Sequence, residues 1–436
     1  MQVPPENPSY SLRRVWLPKN IEESYYNGLS NEGLWPLCHI AFERPAFKAA
    51  QWESYRIANQ IFADAVIEET KGRPAVVFIQ DYHLALLPRM LKDRNPNLIV
   101  AQFWHIPWPN REAFRVFPWR DQILDGMLGN DLLGFHLRYH CQNFLETIDS
   151  NVEALVDGER FTVQRNGQTT TVRPFPISID AESHSQKAQS ISIDREMQTW
   201  SDRLGSFEFL GIGIDRVDYT KGIPEKLQAV DVLLTQHPEY VGKLVFAQVG
   251  VPSRIAIPKY DRLNAEVLES VDSINNKWRR GSWQPIHFIH EHVDMPALMA
   301  LHRMADFCLV ASLHDGMNLV AKEFVASRFD EDGVLILSSF TGSARELTCA
   351  LLVNPFAPDE IAAAMNTAIL MNPEERQQRM RRMRHAVRSN NVYRWAGKIL
   401  TELLRLESPS GNSQMSDRIT ASFGDDATFS TNVGFI

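Results

Sequence analysis

The sequence LHDGMNLVAKEFVASR, from Leu313 to Arg328, predicts a sharp turn that leads into a helix. An apolar run, FCLVA at 307–311, comes just before it and is typical of a short buried strand. Beyond the turn, apolar residues recur with the spacing of one helix face. Gly316 stands where the backbone must turn sharply or lie against a ligand. The segment therefore indicates a strand, a tight turn and a helix.

The start of this helix suits an anion, because its first backbone N–H groups have no partner within the helix and the helix dipole favours negative charge there. Asp315 and Glu323 flank that point, and both carboxylates are placed to accept hydrogen bonds from sugar hydroxyls. The segment is also compatible with an ordinary strand-to-helix turn of an α/β domain, with Asp315 as N-cap. The rest of the chain decides between these interpretations.

The composition is that of a globular protein with two domains. The 436 residues exceed one ordinary core, and 44% hydrophobic and 22% charged residues are usual values. The net charge of −8 argues against a nucleic-acid binder, and the basic segment 376–388 is spaced like a solvated helix face. Scattered cysteines, no signal peptide and no apolar run of about 18 residues predict a cytoplasmic protein without a membrane span.

The first half of the chain alternates buried strands with helices. Strands are predicted at 11–17 (SLRRVWL), 75–79, 98–104 and 131–135. Helices are predicted at 22–31, ended by Trp35-Pro36, and at 47–69, 84–92 and 118–128. Such βα units predict a parallel sheet, whose ligands gather at the carboxyl ends of the strands. That edge would hold Asp81, His105 and His136.

A second βα series follows a polar, helix-prone stretch at 183–205, where the domain boundary is expected. Its strands are predicted at 207–214, 243–249, 286–289, 307–311 and 334–337, and a hairpin-like insertion around Asn166 precedes it. The expected fold is α/β, with two parallel-sheet domains facing each other across a cleft. The predicted divisions are domains at 1–190 and 206–385, a C-terminal helix at 386–406 and a disordered tail at 407–436.

Three cations follow strands of the second domain. Arg216 and Lys221, in DRVDYTKG, come directly after its first strand and face the same cleft as Gly316. Two fixed cations beside a helix N-terminus make a diphosphate site that works without a metal, since Arg binds bidentately and Lys as a point charge. Arg254, in VGVPSR, follows the next strand. For Arg216 or Lys221 alone a surface loop residue is the commoner case, and for Arg254 both interpretations are open.

The candidate residues of the first domain are ambiguous from local sequence. His105 lies in an aromatic, proline-rich turn and fits a sugar-binding residue or a turn residue, while Asp81 fits an active-site carboxylate or an N-cap. Tyr26 and Trp35 offer flat faces to a sugar, although such aromatics more often pack in a core. The motifs HExxH, GxSxG, Walker A and paired CxxC are absent from the sequence, so metalloprotease, hydrolase, P-loop and zinc sites lack support.

From about Tyr25 to about Leu403 the sequence resembles the trehalose-6-phosphate synthase family of retaining glycosyltransferases, which has the GT-B fold of two Rossmann-like domains. The resemblance rests on motifs in the same order: YYNGLSNEGLWP, QDYHLALLP, FWHIPWPNREAF, DLLGFH, IDRVDYTKGIPEKL, VGVPSR, SLHDGMNLVAKEFV and GVLILSSFTGSAREL. It implies transfer of glucose from UDP-glucose, or another nucleotide-glucose, to glucose 6-phosphate, with retained anomeric configuration. Trehalose 6-phosphate would be the product, and no metal or cofactor is expected.

The resemblance also implies a role for each residue on the donor side. Arg216 and Lys221 match the pair that grips the UDP diphosphate. Glu323 matches the carboxylate that binds the ribose, and Asp315 matches the residue that holds the donor glucose. The turn that contacts sugar and phosphate through its backbone is formed by Gly316, Met317, Asn318 and Leu319.

The remaining matches are in the reaction centre and on the acceptor side. His105 matches a histidine near the donor sugar, and Asp81 matches the acidic residue at the reaction centre, which also faces the acceptor. Tyr26, Trp35 and Arg254 match positions that bind glucose 6-phosphate. Since no side chain is an obvious nucleophile, the family implies attack on the same face, assisted by the leaving phosphate.

The sequence departs from the family in three places. Members begin with a strand and a glycine-rich loop carrying an arginine, and the sequence starts after that point, so we expect nucleotide binding but slow catalysis from this chain. The family's usual arginine before Asp-Gly-Met-Asn is His314 here, and Ile274 to Trp283 also differs. These departures affect the predicted contacts with phosphate and acceptor.

Two alternatives to this function remain open. One is a glucosylglycerol-phosphate synthase-like transferase with another phosphorylated acceptor, against which Tyr26, Trp35 and Arg254 argue. The other is a non-catalytic family member or fragment that binds a nucleotide sugar or a partner subunit. The expected partners are the small-molecule substrates, with no nucleic acid and no membrane, and a homo-oligomer is left open.

Overall fold

The computed structural model describes residues 1–4 and 6–406 of the chain. This part contains two six-stranded sheets with helices packed on them and a two-stranded hairpin. The fold is therefore α/β with two Rossmann-like domains, which confirms the predicted class. The predicted tail at 407–436 lies outside the described residues.

The chain enters through a hairpin of β1 (Gln2–Val3) and β2 (Tyr10–Ser11). The prediction of a strand at 11–17 is wrong, because only Ser11 of that segment belongs to β2 and Trp16 is 79% exposed. An alternating pattern forms a stable strand only where a neighbour pairs with it, and an isolated two-stranded ladder is marginal. No described strand pairs with 12–17.

A helical path follows through α1 (Lys19–Glu22), a π-helix from Glu23 to Leu34 and α2 (Trp35–His39). Trp35-Pro36 does not end this path, contrary to the prediction. Pro36 lies in the first turn of α2, a position where proline is tolerated. Hydrogen bonds in a π-helix join residues five apart, so positions 26, 31 and 35 lie close to one face of the path.

The first sheet consists of β3 (Val76–Gln80), β4 (Ile99–Phe103), β5 (Leu132–Phe135), β6 (Leu155–Asp157), β7 (Thr162–Arg165) and β8 (Gln168–Pro174). Its order is β3-β4-β5-β8-β7-β6, with parallel pairing up to β8 and antiparallel pairing beyond. The hairpin predicted around Asn166 is formed by β7 and β8, but it is not an insertion, because β8 also pairs with β5 in the main sheet. Its helices are α3 (Ala49–Thr70), α4 (Leu87–Arg94), α5 (Arg111–Phe114), α6 (Arg120–Met127) and α7 (Arg138–Asn151).

Two helices, α8 (Ala181–Ala188) and α9 (Ile191–Leu204), connect to the second sheet and pack on it. That sheet consists of β9 (Phe209–Arg216), β10 (Leu244–Val251), β11 (Ile286–Ile289), β12 (Phe307–Val310), β13 (Val334–Ser338) and β14 (Leu351–Val353). Its order is β11-β10-β9-β12-β13-β14, and all its pairs are parallel. The short β14 was not predicted, because three residues carry too little pattern.

The remaining helices are α10 (Ile223–Gln236), α11 (Pro258–Trp278), α12 (Met295–Met304), α13 (Leu319–Ser327), α14 (Pro358–Leu370), α15 (Pro373–Ser389) and α16 (Val392–Leu406). The range predicted as one C-terminal helix, 386–406, contains the end of α15 and all of α16. The last helix returns to the first sheet, where Ile399 and Leu403 pack in one cluster with Phe103 and Phe175. None of the described helices is long and apolar enough to cross a membrane.

The order of the second sheet creates a crevice at its centre. The chain moves outward from β9 to β11 and then returns to place β12 on the other side of β9. Connections from β9 and β12 therefore leave in opposite directions, and ligands of such sheets bind at the carboxyl ends of these two strands. Arg216 ends β9, and Asp315 lies in the loop after β12.

Candidate functional site

The loops after β9 and β12 bring two predicted donor residues into contact. Lys221 Nζ lies 2.6 Å from Asp315 Oδ2, and the two side chains are 14% and 15% exposed. Gly222 lets the loops approach, since its φ is 63° and a Cβ there would lie 2.2 Å from the carbonyl oxygen of Ala311. The sequence predicted both residues for one site but not this ion pair.

Asp315 is held in its ionised form. Burial alone would raise the pKa of Asp315, but the Lys221 ammonium and the Asn318 amide together bring it below its ordinary value. Asn318 Nδ2 donates to Asp315 Oδ2 over 3.2 Å. A fixed anion with a fixed cation beside it can accept a hydrogen bond from a sugar hydroxyl without titrating at neutral pH.

The N-cap of α13 is Asn318, so the prediction of Asp315 as N-cap in the alternative interpretation is wrong. Asn318 Oδ1 accepts from the backbone N–H of Ala321 over 3.0 Å, and its backbone has a φ of 76°. The backbone N–H groups of Met317, Asn318 and Leu319 donate to no group within the described residues. This turn therefore presents unpaired donors at a helix N-terminus, which suits a phosphate.

Arg216 and Glu323 are the free charges of this crevice. The side chain of Arg216 makes no hydrogen bond or ion pair within residues 1–4 and 6–406, and its guanidinium lies 5.8 Å from the ring centroid of Trp35. The Glu323 carboxylate, in α13, likewise has no partner there, and burial raises its pKa. An arginine at the end of β9 and a carboxylate within α13 thus both lack a partner in the described part of the chain.

Arg254 and Trp35 meet across the two domains. The Arg254 guanidinium lies 4.1 Å from the Trp35 ring centroid, a cation–π contact. Its Nη1 lies 3.2 Å from Asp218 Oδ2 and 2.7 Å from the Tyr260 hydroxyl. Its Nε is buried and has no partner in the described part of the chain. Arg254 is therefore fixed in place through Nη1, and its buried Nε donor is unused in the described part of the chain.

Asp81 follows β3 at the edge of the sheet predicted for ligands. Its backbone has a φ of 64° and a ψ of −179°, a conformation that costs a non-glycine residue energy and is found at functional sites. Its Oδ1 accepts from the backbone N–H groups of Tyr82, at 2.9 Å, and His105, at 3.1 Å. Burial nevertheless raises the pKa of Asp81 to about 7. Asp81 is thus an N-cap and also a strained, titratable carboxylate.

His105 contacts Asp81, and Tyr26 contacts His83, two residues beyond Asp81 in the chain. His105 Nε2 is 2.8 Å from Gln80 Oε1, and burial lowers the pKa of His105 to about 4, so the ring is neutral. Tyr26 is 38% exposed and stacks on the ring of His83, with centroids 5.4 Å apart. The structure therefore gathers the predicted residues of the first domain along one edge, opposite the donor loops.

Several residues of this region were not predicted from the sequence. Asp218 and Tyr260 hold Arg254, and His39 contacts the loop after β12. Asp218 lies inside the DRVDYTKG motif, so the local sequence carried a signal for it. Tyr260 and His39 come from separate helices, so only the tertiary structure shows their part.

No group of three or more His, Cys, Asp or Glu side chains in the described part of the chain is arranged to hold a metal ion. The groups of the crevice are instead two cations, two carboxylates and backbone N–H donors. Such a set can bind a diphosphate and sugar hydroxyls directly.

The domains touch at Gly316, and this contact gives a test. A Cβ at Gly316 would lie 2.7 Å from the carbonyl oxygen of His105 and 2.9 Å from His136 Cδ2. We expect Gly316→Ala to hold the domains apart and to lower turnover far more than it lowers the melting temperature. Gly397→Ala is the control, because a Cβ there meets nothing and should stabilise α16 by about 0.5–1 kcal/mol. Equal turnover in both variants would contradict the importance of this contact.

Comparison with known proteins agrees with the geometry. A model of glycosyltransferase family 20 matches residues 4–405. The UDP-forming alpha,alpha-trehalose-phosphate synthase of Botryotinia fuckeliana is 36% identical over 396 residues, which are 90% of this chain and 75% of that protein. The protein of the same name from Schizosaccharomyces pombe is 36% identical over 399 residues, covering 90% and 77%.

Solved structures give the same result. An E. coli trehalose-6-phosphate structure bound with UDP-2-fluoro glucose superposes with a TM-score of 0.85 at 31% identity, covering 89% of this chain and 85% of that one. The UDP-forming alpha,alpha-trehalose-phosphate synthase from Burkholderia xenovorans in complex with glucose-6-phosphate has a TM-score of 0.85 at 30% identity, covering 88% and 85%. The match of the family model over nearly the whole described chain shows that this protein is a member of glycosyltransferase family 20.

Proposed function

We propose that this protein is a UDP-forming alpha,alpha-trehalose-phosphate synthase, which transfers glucose from UDP-glucose to glucose 6-phosphate with retained anomeric configuration. The observation that carries the proposal is the arrangement at the carboxyl ends of β9 and β12. The Lys221–Asp315 pair lies there in a family 20 chain, together with Arg216 and the N–H groups at the start of α13, which have no partner within the described residues. The named relatives at 36% identity support the same activity.

On the donor side, the proposed binding follows from charge. The UDP diphosphate lies between Arg216, Lys221 and the start of α13, and Glu323 accepts from the ribose hydroxyls. Asp315 accepts from hydroxyls of the glucose. When the bond to the sugar breaks, the leaving diphosphate gains negative charge, and cations already in place stabilise that charge without reorganising.

On the acceptor side, the proposed partner of the glucose 6-phosphate anion is Arg254, whose buried Nε is unused in the described structure. Trp35 and Tyr26 provide flat faces beside it, and Asp81 faces the reacting hydroxyl. No step requires a side-chain nucleophile: the acceptor hydroxyl attacks from the face that the diphosphate leaves, and the proton goes to a phosphate oxygen of the leaving group. His105 is neutral and serves as a hydrogen-bond partner of the donor sugar.

The activity and its independence from metal can be tested together. We expect the purified chain, with UDP-glucose and glucose 6-phosphate, to release UDP and trehalose 6-phosphate, detected by NMR, and EDTA to leave the rate unchanged. The physical reason is that two cations and a helix N-terminus supply the charge that a metal would otherwise supply. Activity that EDTA abolishes and magnesium restores would contradict the metal-free mechanism.

The acceptor is tested by replacing glucose 6-phosphate with glycerol 3-phosphate. Faster transfer to glycerol 3-phosphate would support the glucosylglycerol-phosphate synthase alternative, and UDP binding without any transfer would support a non-catalytic member.

We also propose a cytoplasmic location, because Cys38, Cys141, Cys308 and Cys349 are all free thiols, as expected in a reducing compartment.

A further inference from the structure

A hydrogen bond between the domains lies next to the donor carboxylate. His314 Nδ1 lies 2.6 Å from the carbonyl oxygen of His39, the last residue of α2. A carbonyl oxygen only accepts, so Nδ1 carries the proton and this tautomer of His314 is fixed. His314 immediately precedes Asp315, so the bond joins the donor loop of the second domain to a helix of the first.

The helix on the other side of this bond also carries Trp35. The His39 ring packs on the Trp35 ring with centroids 4.1 Å apart, and His39 Nδ1 lies 2.9 Å from the Trp35 carbonyl oxygen. Trp35 in turn lies under the Arg254 guanidinium of the second domain. The short helix α2 is therefore attached to the second domain at both ends, by the Trp35–Arg254 contact and by the His314 hydrogen bond.

The surroundings make the bond a neutral one. Burial lowers the pKa of His314 below its ordinary value, and burial lowers the pKa of His39 and of His140 to about 3. The His314 ring centroid lies 6.5 Å from that of His39 and 6.4 Å from that of His140. His39 is only 2% exposed, so water has little access to its carbonyl oxygen, which depends on the N–H of the half-buried His314 as its donor.

We propose that His314 is a positioning residue, which fixes Asp315 and the donor loop relative to α2 and so aligns the donor sugar with the acceptor at Trp35. The inference rests on the proposed function and extends it. His314 touches neither substrate in this proposal and acts through the His39 carbonyl. Removal of the His314 side chain should therefore slow the transfer step and weaken the contact between the domains. Nucleotide binding, which depends on Arg216, Lys221 and Glu323, should not change.

Three variants test the proposal: His314→Ala removes the donor, His314→Asn keeps an N–H near the Nδ1 position, and His292→Ala alters an exposed histidine as a control. For His314→Ala we expect kcat to fall by about 5- to 100-fold, the range for leaving a buried carbonyl without its donor. UDP affinity, measured by calorimetry without acceptor, should stay close to that of the parent. His314→Asn should recover most of kcat, and His292→Ala should match the parent.

Unchanged kcat in His314→Ala, or an asparagine variant as slow as the alanine variant, would overturn the proposal. An equal loss of UDP affinity and kcat would overturn it too, because His314 would then belong to donor binding. X-ray scattering with UDP gives a readout that needs no activity: His314→Ala should have a larger radius of gyration than the parent and His314→Asn. If the parent makes no trehalose 6-phosphate, the proposed function fails, while the scattering comparison still decides whether His314 holds the domains together.

Discussion

Lys221→Ala is expected to bind UDP about 10- to 100-fold more weakly than the parent, since a charge-assisted hydrogen bond to phosphate contributes about 1.5–3 kcal/mol. Glucosyl transfer should fall further, because the charge on the diphosphate grows as the sugar leaves and an absent cation matters most at that moment. Calorimetry of UDP binding and steady-state kinetics with both substrates measure the two effects separately.

Lys221→Ala also leaves the Asp315 carboxylate without its ion-pair partner. The resulting loss of stability must be distinguished from the loss of UDP affinity. An uncompensated buried carboxylate typically costs about 3–5 kcal/mol of stability, so Lys221→Ala should also melt at a lower temperature. Adding Asp315→Asn removes the unpaired charge and should restore the melting temperature, but it cannot restore the affinity for UDP. Lys243→Ala, which removes an exposed ion pair with Glu208 in the same domain, is the matched control. Unchanged UDP affinity in Lys221→Ala would exclude the diphosphate role.

The second domain was largely predictable because its strands are short, continuous apolar runs. FCLVA at 307–311 corresponds to β12, and the run predicted at 286–289 is β11. Strands buried on both faces need such runs, so the local sequence carries the signal. The first-domain entry was not predictable in this way. The alternating segment 11–17 has no neighbouring strand to pair with. The helical segment through Pro36 continues from a π-helix, which no local sequence pattern predicts.

The candidate site divides in the same manner. Arg216, the last residue of β9, and Asp81, the first residue after β3, were placed correctly at carboxyl ends because parallel strands put those ends together. Their roles toward substrate stay predictions. The pairs that set their charge and position join residues far apart in sequence, as Lys221 with Asp315 and Arg254 with Trp35 do. A single sequence contains no signal for such pairs.

The largest effect expected in the first domain is that of Asp81→Asn, which should make the protein more stable and much less active. The folded-state pKa of Asp81, about 7, lies above that of an unfolded aspartate. A raised carboxyl pKa means that folding disfavours ionisation, so Asp81 costs stability as pH rises through the window from about 4 to about 7. The amide lacks this cost and still accepts from Tyr82 and His105.

We therefore expect the stability of Asp81→Asn relative to the parent to rise by about 2–4 kcal/mol between pH 4 and pH 8, measured by urea unfolding. The rate of glucosyl transfer should fall in Asp81→Asn although the stability rises. In the parent, kcat/KM for glucose 6-phosphate should increase as Asp81 ionises near pH 7, because the carboxylate, unlike the neutral acid, accepts at both oxygens from hydroxyls of the acceptor sugar and holds that sugar in place. In Asp81→Asn it should be lower by about 100-fold or more, with that rise absent.

Asp157→Asn provides the control for exchanging a carboxylate that accepts from the backbone. Asp157 Oδ1 accepts from the N–H groups of Glu159 and Arg160, at 3.0 and 2.8 Å, at the other edge of the first sheet. That variant should transfer glucose as the parent does. Loss of stability together with loss of activity in Asp81→Asn would mean that Asp81 is chiefly an N-cap. A gain of stability with loss of activity would instead explain why a strained, half-ionised carboxylate is kept there: the fold holds a group in its less stable form where the reaction uses it.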